Sequence, residues 1–86
     1  MDIITVTPLW GQATNPWNPI FEVGGSTGGG AGCVAVKGCP ITIGTDIGGS
    51  LRIPAAWNGL YTLKPTNSRV SKRGTILASP HGDING

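Results

Sequence analysis

One serine and a run of main-chain amides are the groups in this sequence that could do chemistry together. Ser50 sits in the stretch Gly44 to Pro54, which reads GTDIGGSLRIP. A short apolar run, Ile41-Thr42-Ile43, leads into it. Gly48 and Gly49 permit a turn with positive φ at little steric cost and leave no side chain above its N–H groups. Successive N–H groups in such a turn form an anion-binding concavity, reinforced by the positive end of a helix. A serine at the end of that concavity is placed to act as a nucleophile whose oxyanion the preceding backbone holds. The same residues also fit a plain strand-to-helix turn, with Ser50 as the N-cap.

Upstream, residues 24–32 read GGSTGGGAG and contain Ser26. By composition this is a flexible Gly/Ser linker. The run Cys33-Val34-Ala35-Val36-Lys37 that follows argues for a helix instead, capped by Ser26 or Thr27 and ended by Gly38 in the left-handed region. Gly28, Gly29, Gly30 and Gly32 would fall in its first turns. At close to 1 kcal/mol each relative to Ala, they cost roughly 3–4 kcal/mol, so the helix needs an external surface to pack on. In return the glycines allow close approach to a sheet or a ligand. Gly30 to Ala35 also matches G-x-G-x-x-A, the basis of a nucleotide- or phosphate-binding alternative, although no apolar strand precedes it and no acidic residue follows at the required distance.

The elements that must position these groups are short. Pro40–Gly44 reads as a strand buried on both faces. Ser50–Trp57 reads as a helix, with Pro54 near its start and Gly59 after its end. Leu60–Leu63 reads as a second strand and Lys64-Pro65-Thr66 breaks it. In residues 67–86 only Thr75-Ile76-Leu77 could be a strand. Residues 1–23 carry Pro8, Pro16 and Pro19, with Trp10 and Trp17 between them. This predicts an extended, irregular lead-in whose tryptophans pack on a neighbouring surface. Asn15-Pro16-Trp17-Asn18-Pro19 predicts consecutive turns, the Asn side chains bonding local backbone.

The bounds are narrow. A chain of 86 residues makes one small domain at most, with a marginal core. Fifteen Gly and seven Pro approach low complexity. Yet only 12% of residues are charged and 38% are hydrophobic, unlike a solvated disordered chain. The composition resembles interior sequence of something larger. A net charge of +2 does not argue for a nucleic-acid partner, and Arg69, Lys72 and Arg73 read as an exposed turn. Cys33 and Cys39 lack zinc-site spacing and read as buried, reduced thiols, which fits a reducing, cytoplasmic compartment. No signal peptide and no membrane-spanning run is visible.

Gly24-Gly25-Ser26-Thr27-Gly28-Gly29, then GTDIGGSLRIPAA from Gly44 to Ala56, then Gly59-Leu60-Tyr61-Thr62-Leu63-Lys64-Pro65-Thr66 closely resemble the amidase signature family. The flavour is that of its fungal acetamidase-like and fatty-acid-amide-hydrolase-like members. The resemblance runs from about Asn15 to Gly74. It implies an α/β class, a partial central piece of an α/β/α sandwich around a mixed sheet. Residues 1–23 would be the lead-in, 24–66 the signature core and 67–86 a polar tail. It implies hydrolysis of an amide C–N bond by a Ser–cis-Ser–Lys triad with no cofactor and no metal. Ser50 would be the nucleophile. Ser26 would be the bridging serine, following a cis peptide bond at Gly25–Ser26. The amides of Ile47, Gly48, Gly49 and Ser50 would form the oxyanion hole, with Asp46 and Arg52 as structural support.

The resemblance also predicts a deficit. None of Lys37, Lys64 and Lys72 matches the family's catalytic lysine, and a serine without its base is a poor nucleophile. The chain alone is therefore expected to lack amidase activity. A non-catalytic truncated or pseudoenzyme product is the alternative. Thr27 in place of a second serine, Gly30 and Gly32 in place of helix formers, the Glu22-Val23 lead-in and Thr62 in place of a glycine all depart from the family pattern. The expected partner is a small-molecule amide, if the chain is part of a complete enzyme. Which amide, and the oligomeric state, are not encoded in these residues.

Overall fold

A computed structural model describes residues 3–76. Its elements, in order, are β1 (Val6–Thr7), β2 (Gly11–Gln12), α1 (Gly28–Ala35) and α2 (Arg52–Trp57). β1 and β2 form an antiparallel pair, Val6 opposite Gln12 and Thr7 opposite Gly11. The lead-in was expected to be irregular throughout, so this small hairpin is an addition. The turn chemistry of the next stretch follows the asparagines. Asn15 Oδ1 accepts the Trp17 N–H at 2.9 Å and Asn18 Oδ1 accepts the Ile20 N–H at 3.1 Å. Trp17 also donates its indole N–H to the Asn58 carbonyl at 3.0 Å. Trp10, expected to pack on a neighbouring surface, stays 84% exposed.

The core is small: Val23, Ala31, Ala35 and Ala55, where α1 meets α2. Small residues on α1 let the surroundings come close. A Cβ at Gly30 would lie 2.6 Å from Thr42 Oγ1. That contact supplies the outside surface which a glycine-rich helix requires.

Both helices end in the same pair of backbone bonds. For α2, Leu60 N–H donates to Ala55 O and Gly59 N–H to Ala56 O, with Gly59 at φ +68°. For α1, Gly38 N–H donates to Cys33 O and Lys37 N–H to Val34 O. Here the left-handed residue is Lys37, at φ +62°, not the expected Gly38. The reversal falls one residue before the glycine, at the position directly after the C-cap Val36.

Two expected strands are absent among the described residues. Pro40–Gly44 and Leu60–Leu63 carry no ladder bonds. A strand exists only with a hydrogen-bonded neighbour, and these segments have none. Nor is Pro40–Gly44 buried on both faces, since Ile43 is 85% exposed; in the second segment Leu63 is 80% exposed. Of the third candidate, Thr75 and Ile76 lie outside any strand and Leu77 lies outside the described residues. Around the basic cluster the chain makes the expected turns, Arg69 N–H to Thr66 O and Thr75 N–H to Lys72 O. The result is a two-helix, two-strand piece consistent with an α/β class.

Candidate active site

Ser26 is positioned by the lead-in. Thr5 Oγ1 donates to the Gly24 carbonyl at 2.8 Å. Gly24 and Gly25 are buried, and a Cβ on Gly25 would lie 2.6 Å from the Ile4 carbonyl oxygen. Gly24 adopts φ +87° against the Pro54 backbone, so a side chain is excluded there by both conformation and space. The Gly25–Ser26 peptide bond is cis. Ser26 itself is exposed, and Thr27 occupies the α1 N-cap without a side-chain capping bond.

Ser50 is positioned by Asp46. The Asp46 side chain is 0% exposed. Its Oδ1 accepts the Gly49 N–H at 2.8 Å, and its Oδ2 accepts the Leu51 and Arg52 N–H groups at 3.1 Å each. The Arg52 guanidinium completes the arrangement, Nη2 to Oδ1 at 2.8 Å and Nε to Oδ2 at 3.0 Å. A paired, fork-shaped contact of this kind favours the charged carboxylate. The Arg52 side-chain bonds, aided by the three backbone N–H groups, therefore hold Asp46 well below the usual carboxylate range, against the opposing effect of burial. The Arg52 guanidinium is held correspondingly above its ordinary value by the same carboxylate.

This arrangement corrects two sequence expectations. The N-cap of α2 is Leu51, with no side-chain capping bond, and Asp46 takes the first helical N–H groups. Ser50, buried at 6% exposure, is thus not the cap. The second correction concerns the amide cradle. The Gly49 N–H points at Asp46, so of the four amides expected to face an oxyanion, only those of Ile47, Gly48 and Ser50 are without a protein acceptor among the described residues.

The two serine segments meet through backbone. Thr27 N–H donates to the Ser50 carbonyl at 3.0 Å. No hydrogen bond joins the two hydroxyls among the described residues. The residues that follow each serine, Thr27 and Leu51, both line a cleft of about 110 Å³ with Ala31, Thr42, Ala55 and Tyr61. Gly44 lies tight against Thr27, whose side chain occupies the place a Cβ would take at 2.5 Å.

Other candidates resolve differently. The Gly30–Ala35 nucleotide pattern lies inside α1, and no strand leads directly into it, which is not the strand-to-helix setting that a phosphate loop needs. Lys37 stands at the far end of α1 from Ser26, and an eight-residue helix spans about 12 Å. Lys64 Nζ donates to the Pro65 carbonyl at 3.3 Å. Among the described residues no three His, Cys, Asp or Glu side chains cluster to hold a metal. Cys33 is exposed, contrary to the buried thiol expected, and Cys39 is half-buried. No described helix is long and apolar enough to cross a membrane.

Asn58 was missed from sequence and ties the site together. It is 1% exposed and donates its amide to both Val23 O and Pro54 O at 2.7 Å. Asn15 adds a second tie, donating to Trp57 O at 2.9 Å. The signal was an Asn before a helix-ending glycine, which reads equally well as an ordinary turn.

A buried acid clamps the glycine turn that carries Ser50, and the Ser26 segment lies beside it; comparison supplies the chain's kinship. The Amidase family profile matches residues 1–86, and the chain belongs to that family. It is 55% identical over 74 residues to an amidase of Gibberella zeae, covering 86% of this chain and 14% of that protein. It is 47% identical over 77 residues to fatty-acid amide hydrolase 1 of Sus scrofa, covering 90% and 13%. It is 43% identical over 84 residues to indoleacetamide hydrolase of Pseudomonas syringae pv. syringae, covering 98% and 19%. The chain therefore spans less than a fifth of the length of these relatives.

Proposed function

We propose that this chain carries the nucleophile segment of an amide-hydrolysing centre, with Ser50 as nucleophile and Ser26 as the bridging hydroxyl. The observation that carries the reading is the Thr27–Ser50 backbone bond, which sets the Ser26 segment beside a serine that does not cap its helix. In this reading Ser50 Oγ attacks the amide carbonyl carbon. The amides of Ile47, Gly48 and Ser50 receive the developing oxyanion. The Gly49 amide, held by Asp46, props the turn instead. Ser26 takes the Ser50 proton and hands a proton to the leaving nitrogen. Water then releases the acyl group. The base that drives this relay is a lysine outside these residues, since none of Lys37, Lys64 and Lys72 matches the family's lysine.

The substrate class is a small-molecule amide, as the names of the relatives carry amide and indoleacetamide chemistry. The isolated chain should hydrolyse none of these above background. The test is a chimera in which this chain replaces the corresponding segment of the Gibberella zeae amidase. The chimera should hydrolyse amides, and Ser50→Ala and Ser26→Ala should each lower kcat roughly 10³-fold or more. Unchanged activity in either variant would overturn the assignment. A folded but inactive chimera would favour the second reading, a non-catalytic product. The exposed apolar segments at Ile43 and Leu63 are what motivate that reading.

A further inference from the structure

Cys33 and Cys39 take no part in the amide chemistry, yet the fold brings them together. Cys33 lies in the last turn of α1, and its carbonyl accepts the Gly38 N–H at 2.8 Å. Lys37, in the left-handed region, sends the chain back over the helix. Residue 38 consequently lies against Cys33. A Cβ at Gly38 would sit 3.0 Å from Cys33 Sγ and 3.2 Å from its carbonyl oxygen. Cys39 is the next residue. The neighbouring Cys33 thiol, with burial as a lesser cause, raises the Cys39 thiol above its ordinary value. Both thiols are free, Cys33 exposed and Cys39 half-buried.

We propose that Cys33 and Cys39 form a site of oxidative modification, closing an intramolecular disulfide with hydrogen peroxide as oxidant. The exposed Cys33 thiolate attacks one peroxide oxygen. An S–O bond forms, the O–O bond breaks, and the second oxygen leaves as water after taking a proton. Cys39 sulfur then attacks the Cys33 sulfenic sulfur. The S–S bond forms, the S–O bond breaks, and hydroxide leaves with the Cys39 proton as a second water. The two thiols lose two electrons and the peroxide gains them. The bridge would fasten the exit of α1 to the segment that leads into the Asp46 turn. It does not depend on the amidase reading.

Trypsin makes the test direct, because Lys37 lies between the two cysteines. Cleavage after Lys37 and Arg52 gives peptides 1–37 and 38–52 with one cysteine each. After one equivalent of peroxide, alkylation and digestion, these peptides should run as one joined mass that reduction separates. Equilibration with a glutathione couple should give a joined-to-reduced ratio at least about tenfold higher in native buffer than in concentrated guanidinium, since the fold presets the pair. A ratio no higher in native buffer, or recovery as two separate glutathione adducts, overturns the proposal. In Cys39→Ser, dimedone should trap a sulfenic acid on Cys33. Trapping only on Cys39 in Cys33→Ser would overturn the order of attack.

Discussion

The turn from Asp46 to Arg52 and the segments at 41–43 and 61–63 are neighbours in sequence and are held in opposite ways. In the turn, a fully buried carboxylate takes three backbone N–H groups and a guanidinium. Every one of those partners lies within six residues of it. In the flanking segments, Ile41, Ile43, Tyr61 and Leu63 are exposed and form no ladder. They line, with Leu51 and Val70, an apolar groove of about 370 Å³. The difference teaches where the stability of this chain resides. Polar groups with local partners are satisfied by the chain itself. Apolar strands whose partners are remote are not.

The largest effect should come from breaking the turn. Asp46→Ala leaves the Gly49, Leu51 and Arg52 amides without their acceptor, and should cost about 3 kcal/mol or more. For a chain this small, that removes the cooperative urea transition followed by tryptophan fluorescence. Asn58→Ala breaks the bonds to Val23 and Pro54 and should cost about 2 kcal/mol, read as a lower urea midpoint. If both variants melt like the parent, the turn is not where stability resides.

Acid should distinguish the two regions next. Folding holds Asp46 below the ordinary carboxylate range, so the unfolded chain binds its proton first as pH falls. The stabilisation is complete above about pH 4 and is lost progressively below it. The urea midpoint should fall over that range in the parent and stay flatter in Asp46→Asn.

The smallest effects sharpen the comparison. Lys37→Gly relieves a non-glycine residue at φ +62° and should stabilise by about 0.5 kcal/mol, while Gly59→Ala at φ +68° should destabilise by about 1 kcal/mol. Thermal midpoints that move oppositely would check this. Ile43→Thr and Leu63→Thr should change stability by less than about 0.5 kcal/mol, because neither side chain is buried. A larger loss would show that these segments pack after all.

Much of the local structure was legible because its causes are local. The Asn15 and Asn18 turns and the helix-ending Gly59 follow from side-chain reach and backbone sterics within a few residues. The strands at 40–44 and 60–63 misled because an apolar run records a preference for burial and not the presence of a neighbour. Asn58 and Thr5 were invisible as site supports because the bonds that tie them across the site, to Val23 and Gly24, reach 35 and 19 residues away.

By itself the sequence determined which residue types stand where: glycines able to turn, two serines 24 positions apart, and an acid and a base six apart. Tertiary structure alone decided how they are used. It assigned the Gly49 amide to Asp46, freed Ser50 from capping, and laid Thr27 against the Ser50 carbonyl. The physical reason is that each N–H makes one strong bond, and which acceptor reaches it first is a matter of packing, not of composition.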